Sequence, residues 1–287
     1  VRSLRLFLEM IKFEHTIFAL PFAYLGMLLA AKGWPTWHQF LWITVAMASA
    51  RTFAMSLNRL VDLPYDARNP RTAQRPLVTG ALKPWVAWAA VFISLGIFAL
   101  AAWELGPLPF RLMPIALIFL AGYHYTKRFT WLSHFILGFT DGLAPMGAWV
   151  AVRGSLFTPE DFPAWLLLGI VTLWIAGFDL IYACQDVEVD RRDGLYSIPA
   201  QFGIATALRL SSLCHVGMLL GLIALGLSCS LGLAYWAGVA VCALLLAYEH
   251  SIVKPNDLSR VNVAFFNVNG YISLILFFST STAILFT

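Results

Sequence analysis

The sequence predicts an all-α integral membrane protein: nine transmembrane helices in a single domain over residues 1–287. Three observations carry that expectation. The chain is 60% hydrophobic and only 12% charged, it contains nine apolar windows of spanning length, and its Lys and Arg residues alternate between the segments that join them. A soluble domain carries about 25% charged residues, so half the usual charged surface is missing and a water-soluble monomer is excluded. No water reaches a bilayer core to satisfy open amides, so each window is read as a helix.

A spanning helix needs about 20 mostly apolar residues. The first window, Phe13–Ala31, follows Arg2, Arg5 and Lys12 without a small-residue cleavage pattern and reads as a retained span. It stops at Gly33-Trp34-Pro35. The second, Phe40–Asp62, is closed by Pro64, and the third, Trp85–Leu105, by Gly106-Pro107-Leu108-Pro109. The fourth, Phe110–Tyr125, is the shortest. The fifth and sixth are Leu132–Val152 and Ala164–Asp186. Ala207–Cys229 and Leu231–Tyr248 follow with almost nothing between them, and Val263–Phe286 is last.

Positive charge orients the set. With the N-terminus inside, the inner segments hold Arg2, Arg5 and Lys12; Arg59, Arg68, Arg71, Arg75 and Lys83; Lys127 and Arg128; Arg191 and Arg192; and Lys254 and Arg260. The outer ones hold Lys32, Arg111 and Arg153. This places a multi-pass protein in the cytoplasmic (inner) membrane, in contact with lipid, with its C-terminus outside. The 11 Trp and 22 Phe suit membrane interfaces and an apolar cavity. A net charge of +4 is too small to argue for nucleic acid, and nothing points to an obligatory protein partner. Cys184, Cys214, Cys229 and Cys242 sit singly in apolar runs and read as small buried hydrophobes rather than metal or redox groups.

Most acids gather in two inner segments. Asn58 and Asp62 are stacked neighbours on a helix, and Pro64 leaves Asp66 on the loop beyond; Asp179, Tyr182, Asp186 and Asp190 share a second face. A lone Asp at a helix end is ordinarily solvated or a cap. Two such patches on one side of a membrane are different, because like charges at this spacing repel and need a cation. Carboxylates with an amide carbonyl suit Mg²⁺ completed by substrate phosphates. Arg71, Arg75, Lys127 and Arg128 are placed to take the remaining charge of a diphosphate. Asp179 lies two turns deeper than Asp186, where an ionisable side chain is a functional hypothesis by default.

These residues resemble the UbiA-type intramembrane aromatic prenyltransferase family. The resemblance rests on Asn58 to Asp66, Arg71-Thr72-Ala73-Gln74-Arg75-Pro76-Leu77, Tyr125-Thr126-Lys127-Arg128, and Tyr182-Ala183-Cys184-Gln185-Asp186 through Asp190. The stretch from Phe13 to Phe22 is similar to bacterial members. The resemblance implies a nine-helix bundle around a central cavity, capped by cytoplasmic loops, that moves an isoprenoid chain from its diphosphate to an aromatic ring with Mg²⁺. It implies that Asn58, Asp62 and Asp66 form one metal motif and Asp186 and Asp190 the other, with Arg75, Lys127 and Arg128 at the diphosphate. Asp179 matches an acidic position associated with the acceptor, which makes Asp179, Asp62 and Asp186 the catalytic candidates.

His15, Asp141 and Tyr182 are further candidates for contact with the acceptor. Asp141, an acid inside a span, departs from the family pattern; it lines the acceptor pocket or pairs with a buried base such as Arg51. His15 contacts the acceptor or makes a structural hydrogen bond. The expected reaction joins a polyprenyl group from polyprenyl diphosphate to an aromatic hydroxy acid, most simply 4-hydroxybenzoate, in quinone biosynthesis. A naphthoate-type acceptor for menaquinone is the alternative within the class. Outside it stand a transporter, whose acids would meet at the bilayer midplane, and a diphosphatase that admits water.

Overall fold

The computed structural model describes residues 2–11 and 13–286, with side chains described at 5–11 and 20–286. Its elements are α1 (Arg2–Met10), α2 (Phe13–Ala31), α3 (Trp37–Val61), α4 (Leu63–Asp66), α5 (Pro84–Glu104), α6 (Pro107–Thr126), α7 (Ser133–Arg153), α8 (Phe162–Ala183), α9 (Val187–Arg192), α10 (Ile198–Phe202), α11 (Ile204–Ser228), α12 (Leu233–Ile252) and α13 (Asn269–Leu285). Each expected window coincides with one of the longer helices. Among the described residues seven are long and apolar enough to cross a membrane: α3, α5, α7, α8 with its continuation to Arg192, α11, α12, and Val263–Leu285. The other two expected spans are not among these within the described residues. The described part of α2, Leu20–Ala31, is a shorter apolar helix, and α6 carries Arg111, Pro114 and a Tyr123-His124-Tyr125 end.

Local chemistry moved several boundaries. The second window was expected from Phe40, but Thr36 and Gln39 form a reciprocal capping box that starts α3 at Trp37. Gly154, at φ +66°, closes α7 in the left-handed conformation that a side chain disfavours. The eighth window was expected to end at Tyr248, yet α12 runs on to Ile252 and carries Glu249 into the interior. The last span opens with a π-helical turn, Val263–Val268, before α13.

Helix α8 is the hub. Leu167, Ile170 and Trp174 pack with Trp149 of α7, Met218 and Leu222 of α11, and Ile272 of α13 in one core. Gly138 and Gly142 of α7 let the two backbones close; a methyl group on Gly138 would overlap the Thr172 carbonyl. Large apolar side chains such as Phe92, Ile118 and Leu244 point outward, as a lipid-facing surface requires.

A buried polar tie sets the wall opposite α7. Asn269 accepts from Trp174 Nε1 at 2.7 Å and donates to Glu249 Oε1 and to the Ala264 carbonyl at 3.0 Å each, so one amide joins α8, α12 and the π-helical turn. Asn269→Ala orphans the indole N–H and the carboxylate together. At about 1–3 kcal/mol for each buried group left unsatisfied, the variant is expected to lose several degrees of thermal midpoint in detergent. An unchanged melting curve contradicts that account.

Candidate active site

Helices α3, α6 and α8 all finish at the same end of the bundle, and their ends meet the loop that follows α4. Beneath them lies a polar chamber of about 310 Å³, lined by Asn58, Asp62, Asp66, Arg71, Arg75, Lys127, Arg128, Asp179, Tyr182, Asp186 and Asp190. The sequence-predicted metal and diphosphate residues are therefore brought together, although the two acidic segments are far apart along the chain.

Inside the chamber four of the acids are each matched with a base. Arg71 grips Asp186 through Nε at 3.1 Å and Nη2 at 2.7 Å, and Asn69 donates to the same carboxylate at 3.2 Å. Arg75 bonds Asp66 at 2.5 Å, Lys127 bonds Asp190 at 2.8 Å, and Arg128 stands 3.8 Å from Asp62. Asn58 is saturated as well: it donates to Asp62 at 2.7 Å, sits 3.1 Å from His124 Nδ1, and accepts from Arg59 at 3.1 Å. The expected repulsion between carboxylates is thus relieved by the chain's own cations. Among the described residues no three acids, histidines or cysteines are grouped to hold a metal ion as they stand.

Burial and charge leave their mark on two of these groups. Burial pushes the Asp62 carboxyl up to about 6; Asp66 adds to this, while Arg128, Arg59 and Arg75 oppose it. For Arg71, burial works to lower the guanidinium, but the hydrogen bond and charge of Asp186 outweigh it and hold the group above its ordinary value. Aromatic faces help position the cations. Arg128 lies over Tyr65 and Tyr125, and Arg71 lies over Tyr182, to whose hydroxyl it also donates at 2.8 Å. Tyr182 therefore lines the polar chamber, while its ring stacks on Phe265 of the apolar side at 4.1 Å.

A second, larger cavity of about 540 Å³ continues toward the middle of the bundle. Its walls are almost wholly apolar, including Phe22, Met113, Trp174, Phe178 and Phe265, and Arg51 is the one arginine lining it among the described residues. Asp141 lines the same space and interacts electrostatically with Arg51. Three residues, Tyr123, Leu137 and Asp179, line both spaces and mark where they join. Asp179 accepts from His134 Nδ1 at 2.6 Å. The side chain of His15 lies outside those described.

Sequence reasoning missed several groups here. His134, Asn69, Tyr65 and Tyr123 carry no spacing signal of their own. Arg51 was visible only as a base within a span. Asp193 also lines the chamber, its side chain 3% exposed and held 3.2 Å from Arg192 and 3.9 Å from Arg68.

A chamber of acids and bases opening into an apolar cavity, inside a membrane-spanning helical bundle, defines a protein built for a molecule with a highly charged head and a long apolar body. The chain belongs to the UbiA prenyltransferase family, whose description matches residues 19–275, and it is a prenyl-transferring enzyme. A 4-hydroxybenzoate octaprenyltransferase of Nitrosospira multiformis is 31% identical over 245 residues, covering 85% of this chain and 82% of that one. Another, of Xanthomonas euvesicatoria, is 33% identical over 257 residues, covering 89% and 83%. Among solved structures, the apo form of a UbiA homologue from Aeropyrum pernix K1 superposes with a TM-score of 0.85 at 35% identity, covering 93% of this chain and 96% of that one. A UbiA homologue from Archaeoglobus fulgidus, bound to GPP and Mg²⁺, shares the fold with a TM-score of 0.68 at 18% identity, covering 94% and 99%.

Proposed function

We propose that the chain transfers a polyprenyl group from polyprenyl diphosphate to a ring carbon of an aromatic hydroxy acid, with 4-hydroxybenzoate as the simplest acceptor, in quinone biosynthesis. The observation that carries this reading is the junction at Asp179, where the charged chamber meets the apolar cavity. A diphosphate fits the first, an isoprenoid chain fits the second, and the allylic carbon between them falls beside a carboxylate.

The donor set fits Mg²⁺ chemically: Asn58, Asp62, Asp66, Asp186 and Asp190 offer hard oxygens around one chamber. Held there, the ion would supply Lewis-acid neutralisation of the leaving diphosphate. With a diphosphate bound, Arg71, Arg75, Lys127 and Arg128 would turn from their carboxylates to phosphate oxygens, so each of the four paired acids and its base would keep an opposite charge. As the allylic C–O bond breaks, the bonding pair leaves with the diphosphate, and the apolar walls keep water from the electron-deficient carbon. Asp179 polarises the acceptor hydroxyl, the ring carbon beside that hydroxyl bonds to the allylic carbon, and one ring proton is released per transfer. Arg51 suits the acceptor carboxylate. The basic residues around the chamber support a cytoplasmic placement of the site in the inner membrane, with the C-terminus outside.

One observation favours a naphthoate-type acceptor as a second reading. Asp141 places another carboxylate beside Arg51, and an acceptor with two hydroxyls could meet Asp179 and Asp141 at once, whereas 4-hydroxybenzoate has only one to give. The transporter alternative fits poorly, because the acids gather at one end of the bundle. The test is turnover by purified protein with Mg²⁺, labelled prenyl diphosphate and both acceptor types. Labelled prenyl arene is expected; diphosphate release without transfer to any aromatic acid would sink the reading and favour a diphosphatase.

A further inference from the structure

Asp179 is held by a second residue whose own protonation the backbone dictates. His134, in the first turn of α7, is only 2% exposed. Its Nε2 faces the amide N–H of Ile198 at 3.3 Å, and its Nδ1 faces Asp179 Oδ2 at 2.6 Å. A backbone N–H can only donate, so Nε2 is the acceptor and the ring proton sits on Nδ1. The imidazole is therefore neutral and donates to the Asp179 carboxylate. Asp179 Oδ1 has no hydrogen bond among the described residues, and the side chain is 23% exposed toward the junction of the two spaces. One oxygen is fixed and the other is presented.

The amide that orders the ring is that of Ile198, the first residue of α10, at the end of a short strap after α9. There, Leu195 N–H donates to the Asp190 carbonyl at 2.8 Å, Tyr196 N–H to the Lys127 carbonyl at 2.7 Å, and the Ser197 hydroxyl to the Asp190 carboxylate at 2.6 Å. Ser197 and Ile198 are consecutive. The strap thus holds Asp190 through one residue and His134 through the next, so the Asp179 carboxylate is aligned from the same backbone that anchors the diphosphate side.

We propose that His134 is the positioning residue of the acceptor site: as a neutral donor from Nδ1, ordered by Ile198 N–H, it fixes Asp179 so that its free oxygen meets the acceptor hydroxyl. This rests on the role given to Asp179 above. His134 touches neither substrate, and its effect passes through the carboxylate.

The experiment compares His134→Gln and His134→Leu in the full-length protein, with Asp179→Asn as reference. Gln can donate to Asp179 and accept from Ile198, whereas Leu can do neither. A catalytic group misplaced by about 1 Å can cost on the order of 100-fold. That loss is expected for Leu in kcat/KM for the aromatic acceptor, with KM for prenyl diphosphate within about twofold of wild type, and Gln is expected to recover most of the rate. Equal acceptor kinetics for Leu and wild type, or a Gln variant as impaired as Leu, overturns the proposal. Should the Leu variant fail to bind prenyl diphosphate, His134→Ala with added imidazole takes its place; recovery of acceptor kcat/KM supports the role, and no recovery overturns it. A wild-type enzyme that transfers to no aromatic acid is a different result, one that removes the proposed reaction itself.

Discussion

Asp186→Ala is expected to lower prenyl transfer by about 10³-fold or more, the scale on which a preorganised group that stabilises developing charge is lost. Asp186 is buried and receives three hydrogen bonds, two from Arg71 and one from Asn69. As a proposed metal ligand it serves twice, offering oxygen to the ion and keeping Arg71 aimed into the chamber until phosphate takes its place. Removing it should raise the Mg²⁺ requirement and cut kcat/KM for prenyl diphosphate, while leaving KM for the aromatic acceptor alone. Asp186→Asn separates the two contributions, because it keeps the shape and part of the hydrogen bonding but not the charge. If Asn is as damaged as Ala, charge decides; if Asn is nearly active, geometry does. The fold should survive either change, since Arg71 is about a third exposed and an ion pair of that exposure contributes about 1 kcal/mol or less. Full activity in the Ala variant would contradict the metal assignment.

The spans and the two acidic patches could be read from the chain because both obey short-range rules. Apolar length sets a helix in lipid, and four-residue spacing stacks Asn58 on Asp62 whatever the rest of the molecule does. The shared end of the bundle followed from alternating crossings. What spacing cannot express is partnership between segments. Nothing local says that Arg71 meets Asp186 or that Lys127 meets Asp190, so the bases were expected to be free for phosphate when each is in fact paired with an acid. Tyr182 illustrates the same limit: it shares a face with Asp179 and Asp186, but Arg71 draws its hydroxyl to the charged side. His134 and Asn269 were invisible for another reason. Each is a single polar residue in or beside an apolar run, and its meaning lies wholly in contacts with Ile198 and Asp179, or with Trp174 and Glu249. Glu249 was set outside its helix because hydropathy falls where α12 continues; a buried partner, not composition, keeps that turn inside.

Asp62→Asn is expected to remove transfer and yet stabilise the metal-free protein at neutral pH. A carboxyl held at about 6 in the folded state, against about 3.9 in an unfolded chain, binds its proton more tightly when folded. Its favourable contribution is complete below about pH 4, is lost as pH rises through about 6, and is absent at pH 7.5. The ionised group is then poorly solvated, with Asp66 nearby and Arg128 no closer than 3.8 Å. A shift of this size corresponds to at most about 3 kcal/mol, and solvent screening at a partly exposed side chain brings it nearer 1 kcal/mol. Asn carries no charge at any of these pH values and still reaches Asn58. The measurement is a pair of melting curves, wild type and Asp62→Asn, taken without metal across pH 4.5–7.5. Their difference should be near zero at the acid end and should open in favour of the variant by a few degrees at neutrality. Adding Mg²⁺ with prenyl diphosphate should reverse the order, because the ligands stabilise only the chain that can bind them. If the two curves stay parallel at every pH, burial is not what holds Asp62 up, and the poorly solvated carboxylate cannot be the feature that draws a cation to this end of the bundle.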